Sequence, residues 1–128
     1  MTTEPTTGSG PADKTPAGTL EVTITYLEMH RRRGSGLRPS PHELIAILQA
    51  HQPTLSFYRY LYCHIGEPWL WYERRAMDNE TLRAIIHDPA VSIHVLYFDG
   101  VPAGYVELDS RVDHEIELAY FGLLPEFI

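Results

Sequence analysis

The stretch Ile93-His94-Val95-Leu96-Tyr97-Phe98-Asp99-Gly100-Val101-Pro102-Ala103-Gly104-Tyr105-Val106-Glu107-Leu108 decides the fold. Ile93, Val95 and Tyr97 alternate with His94, Leu96 and Phe98, the period of two expected of a strand. Asp99-Gly100 then supplies the positive φ angles that a two-residue turn requires, and Val101 to Leu108 returns as the second strand of an antiparallel hairpin. Downstream, Arg111 to His114 reads as another turn. Glu115 to Leu123 reads as a further strand, with Ile116, Leu118 and Tyr120 on one face.

Upstream of the hairpin the pattern turns helical. Asp78 caps a short helix containing Leu82, Ile85 and Ile86, closed by Asp88-Pro89. A helix over Thr54 to Ile65 places Phe57, Tyr58, Leu61 and Ile65 at helical spacing and ends at Gly66. Ser40-Pro41-His42-Glu43 combines a capping Ser, a Pro at the first helical position and a capping-box Glu, which predicts another helix to Gln52 that buries Leu44, Ile45, Ile47 and Leu48. Further back, Leu20, Val22, Ile24 and Tyr26 alternate with Glu21, Thr23 and Thr25, predicting a first strand over 19–29. The order is strand, three helices, then three strands, an α+β arrangement, and the apolar character of both faces of the hairpin's first strand, Ile93 to Phe98, predicts a sheet covered on both sides. Trp69, Leu70, Trp71 and Tyr72 concentrate aromatic surface that either packs in the core or lines a ligand cavity.

Composition narrows the function classes. The chain has 128 residues, 44% apolar and 21% charged, which fits one globular domain, and no apolar run reaches the roughly 18 residues of a membrane span. Residues 1–18 are polar and Thr/Pro/Gly-rich and read as a disordered tail without a signal-peptide core, so the expected location is cytoplasmic. The net charge is −7, and from Asp99 onward seven acids face one base, Arg111, giving 1 − 7 = −6 there. Arg31-Arg32-Arg33 is the one basic cluster, too little for phosphate neutralisation, so nucleic acid is not expected as a partner. The acidic end suits a cationic partner such as an amine, or is a solvated face. Cys63, the single cysteine, sits among apolar neighbours and reads as a structural thiol. The seven histidines show no paired ligand spacing, so no metal site is expected.

At Glu115-Ile116-Glu117-Leu118-Ala119-Tyr120-Phe121-Gly122-Leu123-Leu124-Pro125 the chain resembles the GNAT superfamily of N-acetyltransferases. The resemblance runs back over the order of elements to Thr19 and includes the Asp-Gly hairpin with Val101-Pro102-Ala103-Gly104-Tyr105. It implies a mixed, mainly antiparallel sheet with helices on both faces, whose fourth strand splays from a parallel neighbour and offers backbone N–H groups to acetyl-CoA, the co-substrate. By resemblance, Phe121 and Leu123, with Gly122 between them, take that backbone role. A splayed strand can pair with the amide-bearing pantetheine arm as with an extra strand, and its N–H groups can stabilise an oxyanion. Glu117, four residues before Phe121, matches the family's general base; Glu115 either attracts the cationic amine or serves as the base itself.

The family's most specific motif, a Gly-rich loop that wraps the pyrophosphate, would begin directly after Pro125, where only Glu126-Phe127-Ile128 remain. The expectation is therefore the N-terminal part, residues 19–128, of an enzyme that acetylates a primary amine, on a small molecule or a protein, with the chain inactive in this form. The alternative is a non-catalytic module that completes its sheet with a partner chain, or with a second copy, through the exposed edge at 115–124.

Overall fold

The computed structural model describes residues 17–32, 34 and 44–128. The chain divides at Leu37/Arg38 into two units. In the first, residues 19–29 form no strand, and Leu20, Val22, Ile24 and Tyr26 are exposed. The expected first strand is thus corrected: alternation supplies β-propensity, but strands are stabilised by cross-strand neighbours, and this segment belongs to no sheet. Of the expected tail, residues 1–16 lie outside the described residues.

The second unit holds β1 (Ile45–Gln49), α1 (Leu55–Gly66), α2 (Glu73–Ala76), α3 (Asn79–Ile86), β2 (Val91–Phe98), β3 (Val101–Asp109) and β4 (Glu117–Leu123), with short 3-10 turns at Glu67–Trp69 and Pro125–Phe127. Where a helix was expected to run to Gln52, Ile45–Gln49 is a strand; the cap residues Ser40 to Glu43 of that expectation lie outside the described residues. The apolar run Leu44–Leu48 serves either element, and pairing with β2, from Ile45 opposite Phe98 to Gln49 opposite His94, decides for the strand.

The expected helices downstream are present. Thr54 caps α1, its hydroxyl accepting from the Phe57 N–H at 3.3 Å, and the Asp78 carboxylate caps α3 by accepting from the Thr81 N–H at 2.7 Å. In the hairpin turn Asp99 and Gly100 have φ of 49° and 78°, the left-handed pair its sequence requires.

The four strands form one antiparallel sheet in the order β1-β2-β3-β4. Tyr58, Leu61, Tyr62 and Ile65 of α1 and Leu82 and Ile86 of α3 pack against Ile93, Val95 and Tyr105 to make the core, so both helices cover the same face. The fold is α+β. On the other face Ile47 and Phe121 are each 65% exposed, and no described helix covers them.

Candidate functional site

β4 is the edge strand on which the sequence places its candidate residues, and it is not regular. Glu107 pairs with Tyr120, but Leu108 pairs with Leu118, so Ala119 is an extra residue, a β-bulge. Leu118 and Tyr120 therefore point to opposite faces, not to one as the alternation predicted. The bulge also puts Glu117, paired with Asp109, on the helix-covered face together with Tyr120. Glu115 precedes the strand, just after His114, whose φ of 59° turns the chain.

The far half of β4 presents its backbone outward. The Leu124 N–H donates to the Ala103 carbonyl at 2.7 Å, and the Gly122 carbonyl lies so close to Gly104 that a side chain there would strike it. The polar groups of Gly122 and Leu124 thus face β3. By alternation those of Phe121 and Leu123 face away from it, along an edge that no described strand occupies. Gly104 therefore has no room for a side chain, and neither has Gly122, where a Cβ would collide with Ile65 of α1.

The candidate residues line two separate surface depressions. Glu115 and Glu117 share one of about 270 Å³ with Asp109, Arg111 and Val112. The Arg111 guanidinium grips Asp109 at 3.0 and 2.6 Å, and these hydrogen bonds hold the Asp109 carboxyl below the usual carboxylate range. Phe121, Gly122 and Leu123 border a smaller apolar depression of about 90 Å³ with Ile47, Leu96 and Val106, on the face away from the helices. Because of the bulge, Glu117 and Phe121 oppose Asp109 and Val106, three residues apart on β3, or about 10 Å of strand.

Beneath β4 lies a group that the sequence reading did not single out. Glu107 is fully buried and ion-paired to Arg74 of α2 at 2.7 Å, while the Tyr58 hydroxyl of α1 donates to its other carboxylate oxygen at 2.5 Å. Burial opposes the charge on Arg74, but Glu107 and Tyr58 more than offset this and hold the guanidinium above its ordinary value. Burial, with Tyr105 and Glu107 beside it, pushes the Tyr58 hydroxyl up. The Arg74 guanidinium also sits 5.3 Å over the Tyr120 ring, and the Tyr120 hydroxyl donates to Glu73 at 2.7 Å. One signal was available: Glu107 falls in step with Tyr105, at an inward position of an otherwise apolar strand, where an acid needs a partner.

The aromatic patch divides between its two readings. Trp71 packs among Tyr62, Tyr105 and Tyr120, whereas Trp69 and Tyr72 are 65% and 70% exposed. Cys63 is half-buried and forms no disulfide. Among the described residues no group of His, Cys, Asp and Glu is arranged to hold a metal, and no helix is long and apolar enough to cross a membrane. Comparison of the chain with protein-family models, with curated proteins and with solved structures gave no match.

Proposed function

We propose that this chain carries the acetyl-CoA-pairing strand of an N-acetyltransferase that moves acetyl from acetyl-CoA to a primary amine. The observation that carries this reading is the outward-facing backbone of Phe121 and Leu123 on the unpaired side of β4. In the proposed reaction the pantetheine arm pairs with that edge, and the amine nitrogen attacks the thioester carbonyl. The Phe121 N–H donates to the oxyanion, CoA leaves as the thiolate, and Glu117 takes the proton released by the amine. The roughly 10 Å of strand between Glu117 and Phe121 calls for transfer through water rather than by direct contact. Glu115, on the same depression as Glu117, adds negative charge that attracts the ammonium form of the acceptor. In this reading the exposed aromatics Trp69 and Tyr72 belong to the acceptor side of the site. A fifth, parallel strand beyond β4 and a helical layer over Ile47 and Phe121 belong to the same reading, which makes the sheet mixed and covered on both faces.

Backbone amide NMR during titration with acetyl-CoA tests it. The Phe121 and Leu123 amides are expected to shift most within β4, and thiol release from acetyl-CoA is expected to depend on a primary amine. Shifts confined to other strands, with no amine-dependent release, overturn the reading.

A second reading, a binding module that completes its sheet with another chain, is favoured by the exposed apolar side chains Leu118 and Phe121 on the same open edge strand. Concentration-dependent self-association without any effect of acetyl-CoA would select it.

A further inference from the structure

We infer that the buried Arg74–Glu107 pair, with Tyr58 and Tyr120, is a positioning unit that sets the bulge at Ala119 and thereby fixes which face Glu117 occupies. The inference rests on the proposed acetyl transfer only for its purpose; the placement of the bulge is a property of the fold.

Glu107 and Tyr120 are directly paired, and the change of register follows immediately, between Glu107 and Leu108. Each is held from the helical layer. Arg74 and Tyr58 bind the two carboxylate oxygens of Glu107, at 2.7 and 2.5 Å. Arg74 also covers the Tyr120 ring, and Glu73, its neighbour in α2, accepts from the Tyr120 hydroxyl. Two consecutive residues of a four-residue helix thus hold both members of the last pair before the bulge.

Such a pair is a poor device for stability alone, since apolar residues of similar volume usually do as well or better than a buried ion pair. As a device for register it has a specific effect. Side chains on a strand alternate, so loss of the extra residue would send Glu117 to the opposite face while Tyr120 kept its own. The candidate base and the Tyr120–Glu73 contact share a face because the bulge is there.

The test is the double variant Arg74→Met/Glu107→Leu, which removes both charges and keeps the volume. Cross-strand nuclear Overhauser contacts in the full chain, without any ligand, report register directly: Leu108 opposite Leu118 with the bulge, Leu108 opposite Ala119 without it. The double variant is expected to lose the first contact in part or whole, and amide exchange at 117–123 is expected to quicken by about tenfold or more. Unchanged contacts and exchange rates in a folded double variant overturn the inference. Should that variant not fold, Tyr120→Phe, which deletes one hydroxyl, decides: quicker exchange at 117–120 supports the unit and parental exchange overturns it. None of these readouts involves acetyl-CoA, so failure here and failure of the acetyltransferase reading are separate results.

Discussion

Tyr120 faces Glu107 across the β3–β4 ladder, and although one is a surface-edge aromatic and the other a fully buried acid, both are held by the same arginine, Arg74. An acid at 0% exposure has no water to pair with, and that arginine supplies its ionic partner.

Removing one partner is therefore expected to cost far more than removing both. Arg74→Ala or Glu107→Ala strands a buried charge and should lower unfolding free energy by about 3–5 kcal/mol, whereas Arg74→Met/Glu107→Leu should lie within about 1–2 kcal/mol of the parent. Urea unfolding of the three variants checks this, and equal losses in all three would contradict it.

Gly122 is expected to tolerate no side chain while Ile65 is in place, because the Cβ of alanine meets the Ile65 Cγ2 methyl. Gly122→Ala should cost about 1–3 kcal/mol. In combination with Ile65→Ala the loss should fall short of the sum of the two, since the deleted methyl is the one obstructed. Additive losses in a double-mutant cycle would show that the clash is relieved elsewhere.

The pH dependence of stability follows from two aspartates. The Thr81 N–H lowers the folded pKa of Asp78, and hydrogen bonds from Arg111 lower that of Asp109. A depressed carboxyl stabilises the fold above its unfolded pKa, near 4, and that contribution is lost as pH falls through the lower folded value. Asp78→Asn/Asp109→Asn is therefore expected to lose less stability than the parent on acidification below about pH 4. A thermal-melt series across that range measures it, and parallel curves would rule it out.

Under the acetyltransferase reading, Glu117→Gln keeps size and hydrogen bonding but removes basicity. Turnover should fall by about 10² or more with little change in acetyl-CoA affinity, while Glu115→Gln should raise the acceptor KM and leave kcat nearly intact. Parental turnover in Glu117→Gln would remove it as the base.

Legibility in the sequence tracks how local each determinant is. The Asp99-Gly100 turn, the Asp78 cap and the helices α1 and α3 depend on neighbours within a few residues, and the sequence reading places them correctly. Leu44–Leu48 was misjudged because its state is decided by β2, about fifty residues downstream. The alternation from Leu20 to Tyr26 was misjudged because period-two patterning alone makes no strand, and among the described residues this stretch joins no sheet. The face of Glu117 depends on one extra residue at Ala119, whose cause lies in α2, so no window of β4 alone could reveal it.

The strand order has a kinetic consequence. β2, β3 and β4 are neighbours in sequence and space, joined by a two-residue turn and a loop of seven residues, whereas β1 reaches β2 only after the helical segment between them has been spanned. Loop closure therefore favours a meander that assembles early around the Asp99-Gly100 turn, with β1 added last at the opposite edge. In a φ-value series, substitutions in the β2–β3 hairpin should slow folding, and those in β1 should chiefly speed unfolding.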